Sequence, residues 1–198
     1  MNTISTIIFD LGRVLVNIDF DAFPHALGLF TQEERAPFRL SVAETSRLYE
    51  TGKLSTDEFT SQLEKIFNHQ FSKEQLLTAW NEIIQNDVVG INELVLQLQK
   101  KYSTAMLSNT CLSHFHKAQA TTENANLFSK NYLSYQIGYM KPAREVYEHI
   151  LRDLNIPANQ ILFVDDLQEN IDGANAVGMQ GVVFKNIEQF RVDISFLM

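Results

Sequence analysis

The sequence has little cysteine, glycine or proline, and each shortage excludes a class of protein. Its 198 residues include one cysteine, Cys111, which excludes an intramolecular disulfide and a cysteine-rich zinc site. Eight glycines and four prolines, beside 45% hydrophobic residues, argue against a low-complexity or disordered chain. We therefore expect one well-packed globular unit with room for a modest insertion.

Long apolar runs and basic clusters are also missing. No run approaches the roughly 18 residues that span a bilayer, and no basic stretch precedes the apolar Ile7–Phe9. We expect neither a membrane helix nor a signal peptide, and hence a cytoplasmic protein. The net charge is −8, and the longest basic cluster is Lys100–Lys101, which argues against nucleic acid as a partner. An anionic small molecule remains compatible with a locally positive site, and we expect a monomer or a weak homodimer.

Alternating strand-like and helix-like segments predict a parallel sheet. Thr6–Phe9 is a short β-branched and aromatic run, and the same type of run returns after Gly90 with helices in between. These later predicted strands are Thr104–Leu107, Asn131–Tyr135, Ile161–Val164 and Gly181–Phe184. Predicted helices begin at Ile91 and at Pro142, and another ends at Gly178. The alternation predicts an α/β fold with a doubly wound, Rossmann-like parallel sheet.

The segment between the first strand and the rest of the sheet is predicted to be helical. It carries four matches to the N-terminal capping box: Thr31/Glu34, Ser41/Glu44, Ser55/Glu58 and Ser72/Gln75. Its aromatic residues are at helical spacing, which favours packing over the alternative of a substrate pocket. We predict an α/β core of residues 1–15 and 90–198 with an inserted helical cap domain over residues 16–89.

Polar clusters come directly after three predicted strands. Asp10 follows the first, Ser108–Asn109 the second along the chain and Asp165–Asp166 another, while Lys141 precedes a predicted helix. The carboxyl ends of parallel strands lie on one edge, so these clusters converge on one pocket. Each cluster alone is more typical of a turn, a cap or a solvated loop. Together they suit Mg²⁺ beside a phosphate, and they make an aspartyl-phosphate on Asp10 plausible.

Four motifs in this order resemble the haloacid dehalogenase-like (HAD) superfamily of hydrolases, over the whole chain. They are I-I-F-D-L-G, A-M-L-S-N, K-P and L-F-V-D-D. The further stretches I-G-Y-M-K-P and Gly173-Ala174-Asn175 are similar to those of bacterial sugar-1-phosphate phosphatases. The resemblance implies Mg²⁺-dependent hydrolysis of a small phosphorylated metabolite, a sugar phosphate in particular, with the cap supplying specificity.

The resemblance also implies a role for each motif residue. Asp10 would attack phosphorus, with Lys141 neutralising the phosphoryl oxygens. The implied phosphate-binding residues are Leu11, Gly12, Ser108, Asn109 and Lys141. The implied Mg²⁺ ligands are the Asp10 carboxylate, the Gly12 carbonyl, Asp166 and, directly or through a water, Asp165. Asn170 would orient the acidic loop from behind the ligands.

One departure from the family pattern leaves alternatives open. The usual phosphatase has a second aspartate two residues after the nucleophile, as general acid and base, where this chain has Gly12. Its loss predicts a rate about 10²- to 10⁴-fold lower, or another proton source. An acidic leaving group such as an anomeric hydroxyl is one compensation, and Asp19 or Asp21 another, although a capping role is more typical of both.

Two rival functions remain. Carbon–halogen hydrolysis uses an Asp nucleophile alone, but such enzymes usually have an aromatic residue at the position of Gly12. A phospho-ligand-binding protein without turnover is disfavoured because Asp10, Lys141 and the acidic pair are all present.

Several other polar residues are given structural roles. His114 and His116 point about 200° apart on a helix and are predicted to be solvated or at the core edge. Cys111 is predicted to be a small packed residue. Surface positions are favoured over substrate selection for Arg13, Arg47, Tyr49 and Lys53.

Overall fold

The fold is built on a parallel sheet, in a computed structural model that describes residues 4–198. Its strands are β1 (Thr6–Phe9), β2 (Val16–Ile18), β3 (Ile84–Asp87), β4 (Ser103–Ser108), β5 (Asn131–Leu133), β6 (Ile161–Asp165) and β7 (Gln180–Val183). Five of them form one sheet in the order β5-β4-β1-β6-β7, and every neighbouring pair is parallel. The predicted doubly wound, Rossmann-like α/β fold is confirmed.

Helices connect these strands and fill the segment between β2 and β3. They are α1 (Ala22–Ala26), α2 (Gln32–Arg35), α3 (Arg39–Glu50), α4 (Thr56–Ile66), α5 (Lys73–Asn81), α6 (Ile91–Leu98), α7 (Leu112–Thr121), α8 (Ser134–Ile137), α9 (Arg144–Leu154), α10 (Gln168–Ala176) and α11 (Ile187–Asp193). Short 3₁₀ turns cover Asn124–Asn126, Ala158–Gln160 and Ser195–Leu197. Among residues 4–198, no helix has the length and apolar content needed to cross a membrane.

Both faces of the sheet are buried, as a central parallel strand requires. Ile7 and Phe9 of β1 point into one hydrophobic cluster with Leu94 of α6. Ile8 points to the other face and packs in a second cluster with Tyr147 of α9. Alternate side chains of β1 therefore belong to two cores, which explains why the strand is continuously apolar.

The helices α1–α5 bury a third hydrophobic cluster of their own. Its largest members are Phe23, Tyr49, Phe59, Phe67 and Trp80. The ribbon of β2 and β3, an antiparallel pair, joins this helical group to the sheet. The sequence analysis gave no sign of this ribbon and included both of its strands in the helical segment 16–89, because strands of three and four residues have too few positions to show alternation.

Helix and strand ends follow local side-chain chemistry. Three predicted capping boxes are present, at Thr31, Ser55 and Ser72. The fourth prediction was wrong, because α3 begins at Arg39 and Ser41 lies within its first turn.

Two predicted boundaries near the sheet edge also shift. The strand expected to reach Tyr135 stops at Leu133, since the Ser134 hydroxyl bonds to the carbonyls of Glu50 and Thr110 at 2.6 and 2.9 Å. The helix predicted to open at Pro142 begins at Arg144.

In the turn after α3, Gly52 packs closely against the backbone of Tyr135, which follows β5 of the sheet. Gly52 has φ +69°, and a Cβ there would lie 2.1 Å from the Tyr135 carbonyl oxygen. We expect Gly52→Ala to lower the free energy of unfolding by at least about 2 kcal/mol, from backbone strain plus a clash with backbone. Gly28→Ala is the matched control, because Gly28 has φ +77° and open space, and its expected loss is about 1 kcal/mol. Urea unfolding measures both, and equal losses would contradict the close approach.

Candidate functional site

Three charged side chains from separate parts of the chain meet at the carboxyl edge of the sheet. Asp10 follows β1, Asp165 ends β6, and Lys141 lies between α8 and α9. Lys141 Nζ is 2.7 Å from Asp10 Oδ1 and 2.7 Å from Asp165 Oδ2, and it donates to the Leu107 carbonyl at 3.2 Å. The side chains of Lys141, Asp10 and Asp165 are 1%, 10% and 0% exposed. The arrangement is a buried lysine bridging two carboxylates.

The electrostatics of this group keep the lysine charged. Burial raises the pKa of Asp10 to about 7, because the opposing attraction of Lys141 is offset by repulsion from Asp165. Burial acts to lower the pKa of Lys141, but the two carboxylates raise it above its ordinary value. Partial burial and the charge of Asp165 raise the pKa of Asp166. The raised pKa values of Asp10 and Asp166 reflect the crowding of carboxyl groups in a buried place.

The donor atoms at this edge fit a hard divalent cation. Single carboxylate oxygens of Asp10, Asp165 and Asp166 lie within 4.8 Å of one another. The buried Asn170 Oδ1 has no hydrogen-bond partner within residues 4–198. A carboxylate set with an additional orphaned carbonyl oxygen is the chemistry that Mg²⁺ selects.

The two acidic residues at the end of β6, Asp165 and Asp166, differ in their hydrogen-bond partners and in their exposure. Asp165 Oδ1 accepts from the Leu167 backbone N–H and from Asn170 Nδ2, both at 2.9 Å, while its Oδ2 meets Lys141. Within residues 4–198, the ion-pair partner of Asp166 is Arg13 Nη1 at 3.6 Å, and the Asp166 side chain is 17% exposed. Asp166 is thus the more open carboxylate, and Asn170 bonds to Asp165; a role of Asn170 in orienting the acidic loop stays a prediction.

The remaining predicted residues lie around the same point with different uses. Ser108 is buried at the end of β4 and lines the cavity above Asp10. Leu11 and Gly12, which follow β1, line the same cavity. The Asn109 side chain is committed to the Lys141 backbone: Nδ2 donates to its carbonyl at 2.9 Å and Oδ1 accepts from its N–H at 2.8 Å. Asn109 therefore positions Lys141, and its contact with phosphate stays a prediction.

A cavity of about 640 Å³ opens over these groups and is roofed by the helices α1–α5. Its wall is mainly apolar, and it includes Phe20, Phe23, Phe38, Phe67, Trp80 and Met140. The sequence analysis treated these aromatic residues mainly as packing, and most do both: Phe23 and Trp80, for example, make an edge contact at 5.3 Å. Helical spacing alone does not tell which end of an aromatic stripe faces a cavity.

The residues considered for substrate selection or proton transfer divide clearly. Arg13 lines the cavity, whereas Arg47 and Lys53 do not. The surface position predicted for Tyr49 was wrong, because its ring is buried in the hydrophobic cluster of α1–α5. Asp19 accepts from the Asp21 N–H at 2.9 Å in the turn before α1, and Asp21 pairs with Arg35 at 2.6 Å.

Two cavity residues were missed or discounted at the sequence level. His114 is buried, stacks on Trp80 and donates from Nε2 to the Trp80 carbonyl at 2.8 Å. Glu50, which carried no motif, lines the cavity at the end of α3.

Comparison with known proteins gives concordant matches. Residues 7–184 match the haloacid dehalogenase-like hydrolase family. The chain is 30% identical to a D-ribitol-5-phosphate phosphatase of Bacteroides thetaiotaomicron over 98% of both proteins. It is 26% identical to a sesquiterpene phosphatase of Aspergillus oryzae, over 91% of this chain and 89% of that protein. A HAD family enzyme from B. thetaiotaomicron, solved with magnesium and inorganic phosphate, superposes with a TM-score of 0.79 at 25% identity, over 92% of this chain and 95% of the other.

Proposed function

The chain belongs to the haloacid dehalogenase-like hydrolase family, and on that premise we propose that it is a Mg²⁺-dependent phosphomonoester hydrolase with Asp10 as nucleophile. The observation that carries the proposal is Lys141 Nζ at 2.7 Å from both Asp10 and Asp165 beneath the cavity. The phosphatase relatives, and the structural neighbour that holds magnesium and phosphate, support it.

The chain's own residues supply the steps. An Asp10 carboxylate oxygen attacks phosphorus, the bond to the leaving group breaks, and an aspartyl-phosphate forms on Asp10. Lys141 favours the ionised form of Asp10 before attack and neutralises phosphoryl oxygens during it, and Ser108 donates a hydrogen bond to them. Water then attacks the same phosphorus, which frees phosphate and the Asp10 carboxylate.

The proposed metal ligands are Asp10, the Gly12 carbonyl and Asp166, with Asp165 direct or through a water. Bound there, Mg²⁺ neutralises charge on the transferring phosphoryl group. Asn170 keeps Asp165 in place, and Asn109 keeps Lys141 in place, through the contacts described above.

We also propose that residues 16–89 act as a cap domain on a core of residues 1–15 and 90–198. The hydrophobic cluster around α1–α5 supports this division, because every buried member except Cys111 comes from residues 16–89. An apolar roof above the carboxylates excludes water while the phosphoryl group is transferred.

Two substrate classes follow from different observations. A sugar or sugar-alcohol phosphate is the first, supported by the relative that acts on D-ribitol 5-phosphate. A phosphate ester of an apolar alcohol is the second, supported by the aromatic cavity wall and by the sesquiterpene phosphatase relative.

Phosphate release from a panel of esters tests the function. The panel contains ribitol 5-phosphate, hexose 1- and 6-phosphates and farnesyl phosphate, each with Mg²⁺ and with EDTA. We expect Mg²⁺-dependent release, with kcat/KM at least about tenfold higher for one substrate class than for the other. A folded protein whose melting temperature rises with Mg²⁺ and phosphate, but which releases no phosphate from any ester, would be a binding protein and would overturn the proposal.

A further inference from the structure

We propose that Glu50 is the general acid and base of this reaction, in place of the carboxylate that position 12 lacks; the inference rests on the proposed function. Gly12 offers no side chain, and Ile18 Cδ1 lies 3.2 Å from the point that a Cβ at position 12 would occupy. The space beside the nucleophile is thus filled by an apolar group, so a proton donor has to come from another wall of the cavity.

Elimination among the acidic residues of the cavity leaves Glu50. Within the described residues, its wall contains four carboxylates: Asp10, Asp21, Glu50 and Asp166. Asp10 and Asp166 belong to the metal and nucleophile group, and Asp21 is paired with Arg35 at 2.6 Å. Glu50 is the acid that is neither paired nor part of the cation site.

The backbone of Glu50 is tied to the phosphate side of the pocket. Its carbonyl accepts from the Ser134 hydroxyl at 2.6 Å, and the same hydroxyl accepts from the Thr110 N–H at 2.9 Å. Thr110 follows Ser108 by two residues. The backbone of Glu50, which carries this carboxyl group, is therefore fixed relative to the end of β4.

The carboxyl group itself is poorly stabilised as an anion. No hydrogen bond or ion pair to it occurs within residues 4–198, and it ends α3, where the helix dipole disfavours negative charge. Burial raises the pKa of Glu50, with only His114 opposing. Burial also lowers the pKa of His114, whose Nε2–H is bound to the Trp80 carbonyl. A carboxyl group with a raised pKa and no hydrogen-bond partner, in the wall of a cavity, is typical of a functional group.

The proton balance closes with Glu50 in both half-reactions. In the first, Asp10 bonds to phosphorus, the phosphorus–oxygen bond of the ester breaks, and the Glu50 proton passes to the departing oxygen to give the alcohol. In the second, the Glu50 carboxylate takes a proton from water as its oxygen bonds to phosphorus. The bond to Asp10 breaks, and phosphate leaves with Glu50 again protonated.

Leaving-group dependence in Glu50→Gln tests the role. With 4-nitrophenyl phosphate, the leaving group needs no proton. We therefore expect Glu50→Gln to release one nitrophenolate per enzyme in a burst at the wild-type rate, followed by slow turnover. With the alkyl or sugar ester that the wild type hydrolyses best, we expect no burst and a kcat lower by about 10²- to 10⁴-fold. Glu50→Asp should recover part of the loss, and Glu44→Gln, on an exposed position of the same helix, should match the wild type.

Each other outcome overturns the role of Glu50. If Glu50→Gln turned over the alkyl ester within about threefold of the wild-type rate, the leaving group itself would have to compensate for the missing side chain at Gly12. An equal fractional loss of the rate of ester cleavage on both esters would make Glu50 a structural residue. Failure of the wild type on every ester would overturn the proposed function, and this role with it.

Discussion

Asp10→Asn lowers phosphate release by at least about 10⁴-fold while the protein stays folded, if Asp10 is the nucleophile. The amide has nearly the same shape as the carboxylate, but it cannot form the aspartyl-phosphate. The remaining residues still bind the phosphoryl group, so the loss should fall mainly on kcat and much less on KM.

The same substitution has a small expected effect on stability. Asp10 is a buried carboxyl group whose ionised form is penalised by desolvation, and Asn removes that penalty. Lys141 loses one partner but keeps Asp165 at 2.7 Å and the Leu107 carbonyl at 3.2 Å. The two effects oppose each other, so we expect a melting temperature within about 5 °C of the wild type.

Acid quench followed by peptide mass spectrometry distinguishes loss of the Asp10 nucleophile from a general loss of activity. The wild type should show one phosphoryl group on the peptide that contains Asp10, and Asp10→Asn should show none. Asp172→Asn, an exposed position on α10, is the control and should keep its activity. A phosphoryl group on another residue, or a variant within tenfold of wild-type turnover, would contradict the assignment of Asp10.

The sheet was accessible from sequence because each of its strands is short, apolar and bounded by polar or turn residues. β1 was predicted with its observed ends, and β6 to within one residue. The ribbon of β2 and β3 could not be predicted, because it pairs Val16 with Asp87 and Ile18 with Ile84, far apart in the chain, and its strands are too short to show a pattern. Tertiary pairing, and not local preference, makes these segments strands.

The site was predictable only as far as the strand ends determine it. A parallel sheet brings Asp10, Ser108 and Asp165 to one edge wherever the helices α1–α5 lie. Nothing in the local sequence brings Glu50 there, because its position depends on the contact of the α3 turn with Tyr135 and Ser134. The bond of Asn109 to the backbone of Lys141, 32 residues later, is equally invisible in the sequence.

Removing the positive charge of Lys141 should have the largest effect on stability. Without Lys141, the buried Asp10 and Asp165 lose their shared cation. We expect Lys141→Met to lower the free energy of unfolding by about 3–5 kcal/mol at pH 8 in EDTA, since breaking a buried ion pair leaves charges unpaired. Phosphate release should fall with it, because no cation then faces the transferring oxygens.

The loss should depend on pH with a defined sign. The pKa of Asp10 is about 7 in the folded wild type against an ordinary value of 3.8, so between these limits the folded state binds the extra proton and stability falls as pH rises. Lys141 acts to lower that pKa, so the variant holds the proton to still higher pH. At pH 5 Asp10 is then neutral in the folded variant, and the loss caused by Lys141→Met should be smaller than at pH 8.

Urea unfolding at both pH values measures this difference, with Lys73→Met as the matched control. Lys73 Nζ lies 2.8 Å from Asp57, but the two side chains are 41% and 80% exposed. An exposed pair contributes at most about 1 kcal/mol and should change little between pH 5 and pH 8. If Lys141→Met lost no more than the control, or lost the same amount at both pH values, the two buried carboxylates would not depend on Lys141 for their charge balance.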